Sequence, residues 1–288
     1  MIILKCFAFM LFALLKIQAK NSTRIINGSN AKLGQFPSIV IIQSHTSSRF
    51  LCGGTLATLR YVLSAAHCFR HVSIKSLVIK TGVVRRMTLV PWSQIFSVVA
   101  IKSHELYSPG YTRFDYALLK LNKEAVKTRV VYPLPLATSR PENATKCQTA
   151  GWGVQSEYSE HFSRYLKYVD IYLIDYETCI STFPFPVQNE SQICAGVPGR
   201  KYDACQGDSG GPLICDGVVA GIVSTGIGCA RKGYYGIYAD VAAEKCWIDT
   251  NIRAWEEASV DGSKPLAMAL DIYQGLSFPV YIIYFNFN

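Results

Sequence analysis

The feature that most constrains the fold is a succession of short apolar segments between about Ser38 and Tyr238, each rich in β-branched or aromatic residues. Glycine, proline, serine and asparagine separate these segments, as is typical of short strands joined by turns. Representative segments are SIVII, YVLSAA, LVIKT, KYVDIYLI and GVVAGIVST. Because strands do not alternate with helical segments, the pattern predicts an all-β barrel or sandwich. A stretch of about 200 residues is large for one barrel, so two barrels are expected.

A proline-containing connection, VYPLPLATSRPEN at 131–143, is the expected boundary between the two barrels. It divides an N-terminal barrel of about 25–132 from a C-terminal barrel of about 140–245. One segment has helical spacing and predicts a terminal helix over 246–257. The apolar residues that fall on one face of this helix are Ile248, Ile252 and Trp255.

Residues 1–19, MIILKCFAFMLFALLKIQA, have the pattern of a secretory signal. Lys5 supplies the positive start, Cys6–Leu15 is an apolar run, and Ala19 is a small residue suited to cleavage. Lys16 interrupts the run, which is short for a bilayer. A secreted, extracellular protein is therefore expected, and a retained membrane anchor is the alternative.

Cysteine usage also indicates export. The sequence contains ten cysteines, of which Cys6 belongs to the signal segment. No pair has C-x-x-C spacing, so a disulfide framework formed in an oxidising compartment is favoured over a zinc site. Of the nine that remain, at least one must be unpaired or bridge to another molecule. Sequons for N-glycosylation begin at Asn21, Asn27, Asn143 and Asn189, which predicts a glycoprotein.

The charge is unevenly distributed along the chain. The formal net charge is +9, and no aspartate or glutamate precedes Glu105. The plainer interpretation is a basic surface that aids solubility, and the alternative is a surface that binds a polyanion.

The C-terminal stretch 258–288 differs in composition from the rest. A polar spacer, SVDGSKP, precedes an apolar end, LSFPVYIIYFNFN, which loosely resembles a lipid-anchor signal. Asp271 and Gln274 interrupt that pattern. A C-terminal extension without fixed structure is therefore expected, and membrane anchoring is not.

The segment DACQGDSGGPL at 203–213 surrounds Ser209 with glycine and aspartate. Its G-x-S-x-G pattern also occurs in α/β-hydrolases, where the acid and the histidine follow the serine. Here every histidine precedes Ser209, which excludes that class; the five are His45, His67, His71, His104 and His161. A subtilisin-like order needs an aspartate before the histidine. Only His161 has one, Asp115, and it lacks a supporting local pattern. The order His, Asp, Ser remains.

Two residues are the candidates to activate this serine. A serine hydroxyl needs a base to take its proton, and the base needs an acid to orient it. His67 ends the apolar segment LSAAHC, whose neighbouring cysteine would hold the imidazole. Asp115 adjoins the apolar segment YALLKL, and a carboxylate buried there needs a partner such as a histidine N–H. The sequence thus indicates His67, Asp115 and Ser209 as a catalytic set.

Residues of about 25–257 resemble the trypsin/chymotrypsin-like serine proteases. The resemblance rests on LSAAHC, DYALLKL, GWG at 151–153, DACQGDSGGPL and GIVSTGIGC, which occur in the family's order. It implies two antiparallel six-stranded β-barrels followed by a C-terminal α-helix. It also implies that Ser209 is the nucleophile, His67 the general base and Asp115 the orienting carboxylate. The N–H groups of Gly207 and Ser209 would form the oxyanion hole.

The same resemblance implies activation by proteolysis. The segment RIING at 24–28 is similar to the family's activation site, which makes 20–24 a propeptide. Cleavage after Arg24 would free the ammonium group of Ile25 to pair with Asp208, whose burial without a cation would be costly. An activating protease is therefore an expected partner.

The resemblance further implies a pocket for the residue before the scissile bond. Asp203 matches the position at its base, where a carboxylate selects Arg or Lys. Gly226 and Gly236 match its walls, and Ser224 and Gly226 would flank the substrate backbone. Thr225 departs from the family, which usually has tryptophan there. This change is expected to weaken or redirect selection of the preceding substrate residues.

The disulfide pairing is likewise implied by resemblance: Cys52–Cys68, Cys147–Cys215, Cys179–Cys194 and Cys205–Cys229. Cys246 is left over and is expected to be a buried, inert thiol, with an intermolecular link as the alternative. Residues 70–104 contain no carboxylate, so no calcium is expected. No other metal, no cofactor and no nucleic-acid partner is expected, and the protein is expected to be a monomer.

These observations together predict a secreted serine endopeptidase that is made as a zymogen and hydrolyses bonds after Arg or Lys. The alternative is a non-catalytic homologue that binds proteins or polyanions through the same scaffold. Loss of a catalytic residue would distinguish the two, and His67, Asp115 and Ser209 are all present.

Overall fold

The computed structural model describes residues 28–110, 112–199 and 203–260. The signal segment, the propeptide and the activation residues Arg24 and Ile25 lie outside the described residues. The sequons at Asn21 and Asn27 and the C-terminal stretch from residue 261 onward do so as well.

The described residues contain thirteen strands, and most of them coincide with the apolar segments of the sequence. They are β1 (Ser29–Asn30), β2 (Ile39–Ser44), β3 (Phe50–Leu56), β4 (Tyr61–Ser64), β5 (Leu77–Thr81), β6 (Gln94–Ser103), β7 (Ala117–Leu121), β8 (Lys146–Gly151), β9 (Lys167–Ile174), β10 (Gln192–Gly196), β11 (Pro212–Cys215), β12 (Val218–Thr225) and β13 (Gly236–Asp240).

Twelve of these strands form two closed barrels. The first has the order β2-β3-β4-β7-β6-β5, and the second has the order β8-β9-β10-β13-β12-β11 and closes through the pairing of β8 with both β9 and β11. The strand pairings within both barrels are antiparallel, and β1 is attached to the outside of β9. The prediction of two antiparallel six-stranded β-barrels is confirmed.

Strand β2 is apolar at successive positions and does not alternate with polar residues, because both of its faces are buried. Val40 and Ile42 belong to the core of the first barrel. Ile41, on the opposite face, packs in a separate cluster with Ala150 and Trp152, which lie at and just after the end of β8. Both faces of β2 are therefore buried, and each fully buried Ile or Val stabilises the fold by about 1.5–3 kcal/mol. The outer face of β2 contacts the second barrel.

Two α-helices lie within the described residues. The helix α1 (Tyr176–Ile180) was not expected from the sequence because it is too short to show helical periodicity; Asp175 caps it by accepting a hydrogen bond from the backbone N–H of Thr178 at 2.8 Å. The helix α2 (Lys245–Val260) is the expected terminal helix and extends past its predicted end. The side chains of Ile248, Ile252 and Trp255 are buried, as their spacing predicted. Neither helix is long and apolar enough to cross a membrane.

Four disulfides join the cysteine pairs named above: Cys52–Cys68, Cys147–Cys215, Cys179–Cys194 and Cys205–Cys229. The expectation that Cys246 is buried is wrong, because its side chain is exposed and unpaired. Cys246 lies in the first turn of α2, two residues before buried Ile248. A displacement of two residues turns a helical side chain well away from the buried face.

Candidate active site

His67 and Asp115 are held together by strand pairing in the first barrel. Strands β4 and β7 are antiparallel, with Ser64 opposite Ala117. A 3-10 turn, Ala66–Phe69, follows β4 and carries His67. The same pairing therefore brings together His67, just after one strand, and Asp115, just before the other.

The Asp115 carboxylate is fully buried and contacts His67 twice. Its Oδ2 accepts a hydrogen bond from His67 Nδ1 at 2.7 Å, and its Oδ1 accepts one from the backbone N–H of His67 at 2.9 Å. The two contacts set both the position and the orientation of the imidazole ring. A neutral imidazole that donates from Nδ1 carries its lone pair on Nε2, so the ring is set to accept a proton there.

Ser224 supplies a third contact to Asp115. Its Oγ donates a hydrogen bond to Asp115 Oδ2 at 2.5 Å, across a sequence separation of 109 residues. The sequence reasoning placed Ser224 beside the substrate backbone and did not anticipate this bond. No local signal could reveal it, because the two residues belong to different barrels. Three donors now compensate the burial of one carboxylate.

The turn that carries Ser209 packs against the first barrel. The backbone N–H of Gly53, in β3, donates to the carbonyl oxygen of Ser209 at 2.8 Å. Gly210 has φ +78°, and a Cβ at this position would lie 2.5 Å from the Gly53 carbonyl oxygen and also collide with Ser64 Oγ. Only glycine therefore lets the turn approach the end of β4, from which the turn carrying His67 follows.

The structure has no hydrogen bond between Ser209 Oγ and His67 Nε2, although both residues are described. Hydroxyl–imidazole contacts of this kind are often long without substrate and shorten when one binds.

Two backbone N–H groups in the turn that carries Ser209 donate no hydrogen bond within the described residues. Those of Asp208, Gly210 and Gly211 donate to the carbonyl oxygens of Cys205, Val223 and Asp208. Those of Gly207 and Ser209 make no such bond. Gly207 has φ +94°, and a Cβ there would lie 2.7 Å from the Phe162 ring. Two free N–H groups so close in sequence can bind an anionic oxygen.

Asp208 lies beneath this turn and is fully buried. Its Oδ1 accepts from the Gly153 N–H at 2.7 Å, and its Oδ2 accepts from the Cys205 N–H at 3.0 Å. Burial raises the pKa of Asp208 to about 6, although both hydrogen bonds act in the opposite direction. A Cβ on Gly153 would lie 2.5 Å from Asp208 Oδ2, so the GWG segment makes room for the carboxylate. Within the described part of the chain no cation pairs with Asp208.

A cavity of about 180 Å³ opens beside Ser209 and is bounded by the second barrel. Asp203 lies in its wall with 7% of its surface exposed. Asp203 Oδ2 accepts a weak hydrogen bond from the Ala230 N–H at 3.4 Å, whereas Oδ1 has no partner among the described residues. Burial raises the pKa of Asp203 to about 7, against the effect of backbone hydrogen bonds from Ala230 and Ala204. The cavity therefore contains a buried carboxyl group, one oxygen of which is unpaired within the described part of the chain.

The glycines of the cavity determine its shape. A Cβ on Gly236 would lie 2.7 Å from Asp203 Oδ1 and would cover that oxygen. Gly226, Ser224 and Thr225 also line the cavity. The sequence reasoning missed Tyr238, whose buried side chain lines the same cavity.

One group of potential metal ligands lies within the described residues, formed by Cys52, His67 and Cys68. Both sulfur atoms belong to a disulfide. Since metals bind the thiolate form of cysteine, this group is not a metal site.

Comparisons with known proteins agree with this geometry. A family model described as trypsin matches residues 25–248. Trypsin delta of Drosophila melanogaster is 36% identical over 233 residues, which cover 79% of this chain and 88% of that protein. Trypsin alpha of Drosophila erecta is 34% identical over 231 residues, covering 78% and 86%.

A solved structure has the same fold. It is neuropsin, a serine protease expressed in the limbic system of mouse brain, which superposes with a TM-score of 0.72 at 29% identity. The match covers 78% of this chain and 98% of that one. The chain belongs to the trypsin family of serine proteases.

Proposed function

We propose that this protein is a secreted endopeptidase, made as a zymogen, that hydrolyses protein and peptide bonds after Arg or Lys. The observation that carries the proposal is Asp203 Oδ1, a buried carboxylate oxygen that has no partner among the described residues and lies in a cavity that Ser209 also lines. A cationic side chain that enters this cavity supplies the missing partner.

The catalytic step uses Ser209 and His67. His67 Nε2 takes the proton from Ser209 Oγ as Oγ attacks the scissile carbonyl carbon, and the carbonyl oxygen becomes an anion held by the N–H groups of Gly207 and Ser209. His67 then passes the proton to the leaving amine, which leaves an acyl ester on Ser209. Water then attacks the ester carbonyl carbon and gives a proton to His67, and His67 returns this proton to Ser209 Oγ as the ester bond breaks and the carboxylic acid product departs. Asp115 and Ser224 keep the imidazole oriented throughout.

Selection of Arg or Lys follows from desolvation. A neutral side chain in the cavity leaves the Asp203 carboxylate buried and unpaired, whereas a guanidinium or ammonium group compensates it. Gly226 and Gly236 leave the space that such a long side chain needs.

Activation follows from the burial of Asp208. Its raised pKa indicates a carboxylate that lacks adequate compensation. Cleavage after Arg24 creates an ammonium group on Ile25, and pairing of that group with Asp208 orders the turn that bears Gly207 and Ser209. The signal segment 1–19 and the four disulfides support secretion.

The test is an assay of the protein after cleavage at Arg24, with an Arg-amide and a Tyr-amide substrate of equal length. We expect the Arg-amide to be hydrolysed far faster. Uncleaved protein and a cleaved Ser209→Ala variant are the controls, and both are expected to be inactive. A preference for the Tyr-amide contradicts the pocket assignment, and hydrolysis of neither substrate supports a non-catalytic binding role.

A further inference from the structure

A group of basic side chains lies on the outside of the first barrel. The group consists of Lys80, Arg85, Arg86 and Arg164 and is called the cationic surface. The backbone N–H of Arg86 donates to the Arg164 carbonyl oxygen at 2.9 Å, and Arg85 forms a β-bridge with Tyr165. These contacts place the two chain segments side by side. Within residues 28–110, 112–199 and 203–260, no ion pair joins any of the four to a carboxylate.

The side chains of the cationic surface are held in place by aromatic rings. The Arg86 guanidinium lies 5.7 Å from the ring centroids of both Phe50 and Phe162, and its Nε donates to the Ser163 carbonyl oxygen at 3.3 Å. The Arg85 guanidinium lies 5.2 Å from the Tyr165 ring. Such contacts orient a cation without neutralising its charge. The positive charges thus stay available to an external anion.

Crowding of like charge is evident at Lys80. Burial lowers the pKa of Lys80, and the charge of Arg86 lowers it further. An anion bound at this position would relieve the repulsion between the two cations, so the surface is electrostatically complementary to acidic groups.

The cationic surface adjoins the active site through Phe162. The Phe162 ring lies against Gly207, where a Cβ would be 2.7 Å away, and packs edge-on against Phe50 at 5.2 Å between centroids. Phe50 begins β3, and Gly53 of the same strand bonds to Ser209. The described residues that line the cavity with Asp203 belong to the second barrel. The cationic surface is instead connected to Ser209 through Phe50 and β3, so substrate residues that leave Ser209 on this side extend toward Arg86.

We propose that the cationic surface binds an acidic segment of the protein substrate on the C-terminal side of the scissile bond. This inference rests on the proposed function, and it narrows the substrate class to proteins in which Arg or Lys is followed by aspartate or glutamate. Exposed Met87, 67% accessible beside Arg86, offers such a segment an additional apolar contact.

The test compares two quenched fluorescent peptides with the same Arg and the same preceding residues. One has several glutamates after the scissile bond, and the other has glutamines at those positions. We expect cleaved wild-type protein to hydrolyse the glutamate peptide about tenfold faster by kcat/KM, as a few exposed ion pairs allow. Added salt is expected to reduce the preference.

Variants localise the effect. Lys80→Gln, Arg164→Gln and Arg86→Gln are each expected to reduce the preference, while Lys75→Gln, which removes an exposed charge before β5, is expected to retain it. Arg86 packs on two aromatic rings, so Arg86→Gln could also destabilise the fold. Lys80→Gln and Arg164→Gln test the charge effect independently of that packing. Equal rates for the two peptides in wild-type protein overturn the proposal.

A short Arg-amide without residues after the scissile bond separates the two proposals. If it is hydrolysed and the peptides show no preference, the proposed function holds and this inference fails. If it is not hydrolysed, anisotropy of a labelled glutamate peptide with the Ser209→Ala variant still tests the surface: binding that Lys80→Gln weakens supports the inference. Binding of a sulfated polysaccharide but not of the glutamate peptide overturns it.

Discussion

Replacement of Asp203 by asparagine is expected to impair activity and to stabilise the fold. The Asp203 carboxyl is buried, and its pKa in the folded protein is about 7 against an ordinary value of 3.8. A difference of that size means that ionised Asp203 costs about 4 kcal/mol of folding free energy. Asparagine has nearly the same shape and carries no charge, so it removes this cost.

The pH dependence has a definite sign. Between the unfolded and the folded pKa the folded state holds a proton that the unfolded state has lost, so wild-type stability falls as pH rises through this window. Below about pH 3.8 neither state is ionised, and above about pH 7 both are. Asp203→Asn is therefore expected to be more stable than wild type at pH 8, by up to about 4 kcal/mol, and by little at pH 4.

Chemical denaturation measures this difference. Both proteins should carry Ser209→Ala, which prevents self-digestion. The matched control is Asp216→Asn, which replaces an exposed aspartate and is not expected to increase the free energy of unfolding. Activity is measured in proteins that retain Ser209 and have been cleaved after Arg24. In this form Asp203→Asn is expected to lower kcat/KM for an Arg-amide by ~10²–10³-fold, because the substitution removes the charged partner of a desolvated cation. A gain in stability that is the same at pH 4 and pH 8, or no loss of activity, would refute the reasoning.

The other predictions concern single contacts. Ser224→Ala removes one hydrogen bond to the Asp115 carboxylate. Steady-state kinetics should show that kcat falls by ~10-fold with little change in KM. An unchanged kcat would mean that His67 is oriented without the Ser224 hydroxyl. Gly210→Ala places a Cβ against Ser64 and strains the backbone, so thermal denaturation should show a loss of more than ~2 kcal/mol. Gly217→Ala, with a similar φ of +81° and open space, is its control and should cost only ~1 kcal/mol; equal losses would exclude the steric explanation.

Much of the fold could be predicted from local sequence pattern. The run QIFSVVAIKS coincides with β6, and the spacing of Ile248, Ile252 and Trp255 predicted the buried positions of α2. The five-residue helix α1 escaped prediction because it completes barely more than one turn. The exposure of Cys246 was also missed, although helical spacing could have predicted it, because Cys246 lies two residues from Ile248 and therefore off the buried face of α2.

The kinds of group at the site and their order along the chain could be read from the sequence. No histidine follows Ser209, and no acidic residue precedes His45, His67, His71 or His104, so the order base, acid, nucleophile remained. The glycines around Ser209 also indicated close backbone approaches, because glycine lacks a Cβ.

How these groups meet depends on the packing of the folded chain. Asp115 reaches His67 because β4 pairs with β7, and it reaches Ser224 because the two barrels pack against each other. Likewise no local pattern shows that Asp203 is buried. Burial is the main cause that raises its pKa, and one of its oxygens has no partner among the described residues. Distances between residues remote in sequence, and the desolvation of a charge, depend on the packing of the whole chain. No local pattern encodes them.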